Sequence, residues 1–209
     1  MLKRIAIMVL ALALTTGFAW AKPEINDLNV VNVTPVKATV FFRTAVPCIA
    51  KVIYHAEDKV NYLAKEDTAG LMHAVEVKGL EEATEYFYKI KLVDEKGGVL
   101  GELEADEYSF ITAKHSIAMP SNIYGKISGG GKVAILASVR SANSHKESMG
   151  LMAVPDAKGM WTVNLGDLKG ADGKAMAAKK GDVVSITAIT AKGAVKSLEA
   201  LVTCLPLPV

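Results

Sequence analysis

GLEEATEYFYKI, Gly79 to Ile90, is the stretch whose reading decides the fold. It closes one alternating run, Met72 to Val77, with a Gly79-Leu80 turn, and opens another. Tyr86, Tyr88, Ile90 and Leu92 alternate there with Phe87, Lys89, Lys91 and Val93. A period of two held over eight residues predicts a strand with one face in a core. Downstream, Asp94-Glu95-Lys96-Gly97-Gly98 reads as a hairpin turn, and Tyr108, Phe110 and Thr112 as a closing strand. Upstream, Ile49 to Tyr54 is a strand, and Tyr62-Leu63 a short edge strand. Ala38, Val40 and Phe42 alternate with Thr39, Phe41 and Arg43 in a strand that Pro47 is expected to break. Pro23 to Val33 changes face partway, which predicts a bulge or bend. Seven short strands in about ninety residues read as an antiparallel β-sandwich.

Lys114 to Ser121 is polar and contains Pro120, and it reads as a linker short enough for its flanks to pack together. Beyond it, strands are expected over Ile123–Ile127, Val133–Val139, Gly150–Val154, Trp161–Leu165, Asp182–Thr190 and Ser197–Cys204. A glycine turn spans Ser128 to Gly131, a polar loop Ser141 to Ser148, and a long turn Gly166 to Gly173. No segment carries a sustained helical period.

At the N-terminus, Lys3 and Arg4 precede an apolar run, Ile5 to Leu14, and Ala19-Trp20-Ala21 supplies small residues for cleavage. This is the pattern of a secretory signal peptide over residues 1–21, with Lys22 beginning the mature chain. The run is half the roughly 20 residues that cross a bilayer, so the expectation is cleavage and no membrane span in the mature chain. Export implies a secreted or cell-surface protein. The mature charge is balanced by opposites: residues 22–113 carry 10 basic and 16 acidic side chains, and residues 114–209 carry 12 and 6. Nucleic-acid binding is excluded as an expectation, because it would concentrate positive charge among stacking aromatics. Phosphate recognition would favour arginine, and the mature chain holds only Arg43 and Arg140. The asymmetry fits complementarity between the two halves, or head to tail between chains.

Two resemblances sharpen the fold. Leu80, Thr84, Tyr86 and Tyr88 are spaced like the E–F corner of a fibronectin type III domain. Thr34-Pro35 to Thr44 resembles that family's first hairpin, and Phe110-Ile111-Thr112-Ala113 its closing strand. The resemblance covers Pro23–Ala113 and implies that Tyr86 is the tyrosine corner, its hydroxyl bonded back to upstream backbone. Phe42 stands where that family usually keeps a tryptophan. The segment around His73 is also similar to the N-terminal sandwich attached to purple acid phosphatases, whose metal-binding motifs are not found downstream. In the other half, Tyr124-Gly125-Lys126-Ile127, Gly159-Met160-Trp161-Thr162-Val163-Asn164-Leu165 and Gly181-Asp182-Val183-Val184 resemble, in that order, the carboxypeptidase regulatory-like (transthyretin-like) domains of bacterial surface proteins. Asp156-Ala157-Lys158-Gly159 departs from that family's tighter turn. Together they imply an all-β chain of two antiparallel Greek-key β-sandwiches in tandem after the signal peptide: 22–113, a linker at 114–121, and 122–209.

The residues that could carry chemistry are scattered. His55, His73, His115 and His145 lack the spacing of a zinc site. Gly129-Gly130-Gly131-Lys132 is followed by Val133 and a strand, so it is a turn and not a phosphate loop. Asp167, Asp172 and Asp182 lie among glycines and allow a weak surface calcium site, without the spacing of an EF-hand. Ser141, Ser144 and Ser148 near His145 make no nucleophile elbow. Asn32-Val33-Thr34 spells a glycosylation site but falls in a strand. Cys48 and Cys204 leave three readings: an intramolecular disulfide, two buried thiols, or pairing between chains. Trp161 alternates inward, which weakens glycan binding as an option. The expectation is a protein without catalytic residues, cofactor or metal. It would be a structural or interaction protein that self-associates head to tail into an extracellular fibre or meets a protein partner. The alternative is an accessory module that binds polysaccharide or a partner hydrolase.

Overall fold

The computed structural model describes residues 23–57, 60–102, 108–117, 119–128 and 131–202. Residues 1–22, Gly129-Gly130 and Cys204 lie outside the described residues. The chain is all-β. In chain order the strands are β1 Ile25–Val31, β2 Lys37–His55, β3 Tyr62–Lys65, β4 Gly70–Lys78, β5 Glu85–Val93, β6 Val99–Glu102, β7 Tyr108–Ile111, β8 Asn122–Lys126, β9 Val133–Arg140, β10 Leu151–Ala153, β11 Met160–Asn164, β12 Val183–Thr190 and β13 Gly193–Leu201. The single described helical element is a short 3₁₀ turn over Leu165–Asp167.

β2 overturns one expectation. Pro47 does not end the strand, which runs 19 residues through it. Lys37–Arg43 pairs with β1 and β4, and Ile49–His55 pairs with β3 and β5. The register against β4 jumps between Arg43↔Met72 and Cys48↔Gly70, so Thr44–Pro47 bulges out opposite Leu71. A proline inside a bulge gives up no ladder hydrogen bond, which is why the strand can bend there and pass from one sheet to the other. The two sheets enclose one core. Val40, Phe42, Val75 and Val77 meet Val52, Tyr86, Tyr88, Ile90 and Leu92. The alternation of the Gly79–Ile90 stretch is therefore a burial pattern. β1 also carries its bulge, a register shift between Asn26 and Asn29.

The second half is built on the same plan at smaller scale. A four-stranded sheet, β10-β9-β12-β13, is covered by the β8–β11 pair. Ile123, Val139, Val163, Leu165, Leu168 and Val184 fill the space between them. Trp161 lies over Gly125, where an added Cβ would come within 2.6 Å of the indole. Glycine is required at that position by the close approach of the ring.

The outer faces decide how the halves meet. Phe41 points away from the first core yet is 1% exposed. It is covered by the second half, in a cluster with Val31, Ala134 and Ile189, bordered by Met72, Leu136 and Met152. Asn32 closes this seam. Its backbone N–H donates to Gly150 O at 3.0 Å. Its side-chain amide donates to Met152 O (3.1 Å) and accepts from Met152 N–H (2.8 Å), so it pairs with the free edge of β10 as a strand residue would. Asn32 has φ 53°, a left-handed conformation that asparagine tolerates better than most residues. Arg43 adds a second tie, its guanidinium donating to Asp27 on β1 and to Ala191 O in the β12–β13 turn. The linker is tied as well: Lys114 N–H donates to Gly173 O, Ser121 N–H to Asn164 Oδ1, and Leu165 N–H to Ser121 O. Among the described residues no ion pair crosses the seam, where the one charged group that reaches over is the Arg43 guanidinium on a carbonyl. The ion pairs Lys37–Glu76, Lys78–Glu76, Arg43–Asp27, His73–Glu66 and Lys174–Asp172 each join residues of the same half.

Replacing Asn32 by alanine strands the N–H and C=O of Met152 in a part-buried seam. The expected loss is about 2 kcal/mol in urea denaturation, with Asn32→Asp, which keeps the acceptor but not the donor, falling between. A loss under about 0.5 kcal/mol, the scale of an ordinary surface substitution, would show that the seam is not held by this side chain.

Candidate functional site

The described structure gathers one cluster of reactive side chain types, and it lies in the first core. The bulge of β2 turns Thr44 and Cys48 inward, and β4 places His73 opposite Phe42 in register. His73 stacks on Phe42 with ring centres 4.7 Å apart. Its Nδ1 is 2.6 Å from Glu66 Oε2, and its Nε2 is 3.1 Å from Thr44 Oγ1 and 3.6 Å from Cys48 Sγ. Glu66 Oε1 also accepts from Ala74 N–H. Thr44 Oγ1 donates its own proton to Val46 O at 2.9 Å, so toward His73 and Cys48 it can only accept. An imidazolium satisfies this arrangement, with Nδ1–H donated to the Glu66 carboxylate and Nε2–H to the Thr44 hydroxyl. Burial alone pushes His73 down, but the bonds to Cys48 and Glu66 outweigh it and hold the ring up at about 9.

A thiol, an imidazole and a carboxylate in this order are the parts of a nucleophile, base and orienting acid. In the described structure Cys48 and His73 are both 0% exposed, so the sulfur and the ring are enclosed. What the cluster does is satisfy polar groups in an apolar core and fix the bend of β2 against β4. Sequence reasoning missed it, because Cys48, Glu66 and His73 share no motif spacing. The one available signal was a histidine inside an alternating strand, at a position of core parity with Val75 and Val77.

The other candidate residues take separate places. His55 bonds the Ala56 carbonyl and stacks on Phe87, His115 lies in the linker, and His145 is in the Ser141–Ser148 loop. Among the described residues no group of three or more His, Cys, Asp or Glu is placed to hold a metal ion. Asp167 accepts from Asn164 and Asp172 from Lys174 N–H, each closing its own turn, while the buried Asp182 accepts from Lys179 N–H and from Ala142 N–H, tying its turn to the Ser141–Ser148 loop. Ser148 accepts from Val139 N–H and is likewise structural. The Tyr86 hydroxyl accepts from Glu81 N–H at 3.0 Å, and the Thr112 hydroxyl donates to Glu81 O, which pins the corner between β4 and β5 from both sides. Cys48 is a free, buried thiol.

Open surface clefts are found among the described residues. One of ≈ 480 Å³ lies between β1 and the outer face of β9 and β12, lined by Asp27, Asn29, Ser138, Glu147 and Thr187. One of ≈ 490 Å³ lies beside the corner, with Tyr62, Glu57, Glu81 and Glu85. One of ≈ 720 Å³ separates the Ser141–Glu147 and Gly170–Lys179 loops. None holds the Cys48–His73 pair.

No protein-family model matches the chain, and no curated protein matches it. Among solved structures it is similar to a pullulanase from Anoxybacillus sp. LM18-11, with a TM-score of 0.24 and 11% identity, covering 83% of this chain and 25% of that one. The same enzyme complexed with maltotriose gives a TM-score of 0.25 and 11% identity, covering 84% and 25%. The chain thus spans about a quarter of the length of these structures.

The raised His73 makes stability depend on pH with a definite sign. A group whose pKa rises on folding binds its proton more tightly in the native state. The contribution of His73 is complete below its unfolded value of about 6.5 and is lost as pH climbs through about 9. Denaturation midpoints should therefore fall between pH 6.5 and 9.5, and in His73→Phe this part of the fall should disappear. An unchanged pH profile in that variant would show that the ring is not charged in the native protein.

Proposed function

We propose that this chain is an exported, non-enzymatic structural protein that self-associates head to tail at the cell surface or outside the cell. The observation that carries the reading is the character of the seam. The halves are joined by Val31, Phe41, Ala134, Ile189 and the amide of Asn32, with the Arg43 guanidinium on the Ala191 carbonyl and no ion pair between acidic and basic side chains among those described. Their opposite net charges, 10 basic against 16 acidic in one and 12 against 6 in the other, are left for other molecules. A molecule that carries a fixed acidic body and a fixed basic body presents complementary patches that are not the same surface. Such heterologous contacts propagate from copy to copy.

Further support comes from three directions. The N-terminal sequence has the layout of an export signal. In the first half, β1-β2-β4 packs against β3-β2-β5 with β6 and β7, an arrangement that fits a fibronectin type III-like spacer. Cys48 and His73 are fully buried and only the Glu66 carboxylate reaches the surface, so the thiol and imidazole of the strongest catalytic constellation among the described residues are enclosed.

The reading is tested by sedimentation velocity of the purified chain over a range of concentrations and salt. At about 20 mM salt, where the Debye length exceeds 20 Å, the average mass should rise with concentration. At about 0.5 M salt it should return to that of the monomer. A monomer throughout, at low salt and high concentration, would overturn the proposal.

A further inference from the structure

Among the described residues, each half has edge strands with a hydrogen-bonded neighbour on one side only. In the first half β3 is one of these, pairing with β2 alone, as β4 does, while β6 and β7 pair with β5 alone. In the second half β13 is another, pairing with β12. The opposite edge of the same four-stranded sheet, β10, is already closed by Asn32. Exposed edges of this kind are templates for another strand unless they are blocked. Both edges carry large apolar side chains in solvent: Leu63 is 59% exposed on β3, and Leu201 is 61% exposed on β13.

We propose that β3 of one copy pairs antiparallel with β13 of the next, extending one sheet across the contact. The inference rests on the head-to-tail reading above and names its two surfaces. One register stands out when the strands are laid against each other. Setting Lys65 opposite Glu199 places Ala64 opposite Ala200 and Leu63 opposite Leu201. Successive residues alternate faces, so Lys65 and Leu63 share one face of β3 and Glu199 and Leu201 share one face of β13. The two exposed leucines then cover each other beside an opposite-charge pair, while small residues meet on the other face. Cross-strand pairs of these types favour one alignment over its neighbours. On β3 the face is accessible: Leu63 and Lys65 point to solvent, and Ala64 packs toward the core. On β13 both Glu199 and Leu201 are exposed. Beside β3 the same face carries Lys51 and Lys91 in register with Lys65, so Glu199 of the incoming β13 meets a locally basic surface. A second copy is the occupant that carries both edges at once, and the contact repeats because each copy keeps one edge free. This is strand addition between identical molecules.

The experiment is a charge swap on the full chain, read by sedimentation at low salt with thermal melting as the folding control. Lys65→Glu sets two glutamates opposite each other, and Glu199→Lys sets two lysines opposite each other. Each should weaken association about five-fold, given the strength of cross-strand pairs and the cost of like charges. The double variant should recover to within about two-fold of the parent, and so should a mixture of the two singles, since their edges become mutually complementary. All variants should melt as the parent does, because both positions are on the surface. Association of the parent that ignores every swap overturns the strand pairing and leaves the head-to-tail reading standing. Weakening in the singles without recovery in the double also overturns it. A parent that stays monomeric overturns both.

Discussion

An unpaired strand edge is the constraint on which the rest of this structure depends, and Asn32 is where it is met. β1 and β10 belong to different sheets, and each would otherwise offer free N–H and C=O groups at a place where apolar side chains exclude water. Asn32 turns left-handed at the end of β1, so that its backbone bonds Gly150 and its side-chain amide bonds Met152 at both donor and acceptor. That local geometry lets Val31 and Phe41 bury against Ala134 and Ile189 without orphaned polar groups. The linker is then fixed at its two ends, by Lys114 and His115 on one side and Ser121 on the other, while Ile117 and Met119 stand in solvent.

Much of the architecture was legible in the sequence because its signals are local. The alternation from Tyr86 to Leu92, the Asp94–Gly98 hairpin and the change of face in β1 each follow from period and turn chemistry. Pro47 was misread because a proline is a breaker only where its missing N–H would have been bonded, and a bulge removes that condition. The register shift that makes the bulge depends on β4, a separate strand some thirty residues away in the chain. The docking of the halves left one trace in the sequence. Phe41 stands on the face of β2 that a lone sandwich would give to solvent, an exposure that large aromatic residues rarely have at the centre of a sheet.

The cluster at His73 was not legible, and the reason is physical. Its members come from the bulge, the β3–β4 connection and β4, and they meet only after the strand has bent. The same groups that a reaction would need are used here to keep the bend of β2 polar-satisfied inside an apolar core. The exposed chemistry is of another kind. Leu63 and Leu201 stand exposed on edge strands, and the two halves carry opposite net charge, the features on which the proposed assembly rests. The seam that leaves those features unspent is what connects the sequence to the proposed assembly.

Native-state hydrogen exchange resolved by residue addresses the seam most directly. If the two halves are one cooperative body, the N–H groups of Asn32 and Met152 exchange only through the opening that also exposes Val40 and Phe42 in the centre of β2, and with the same free energy. Exchange of Asn32 and Met152 through a much smaller opening, while β2 stays protected, would mean that the halves part freely and that the account given for their union is wrong.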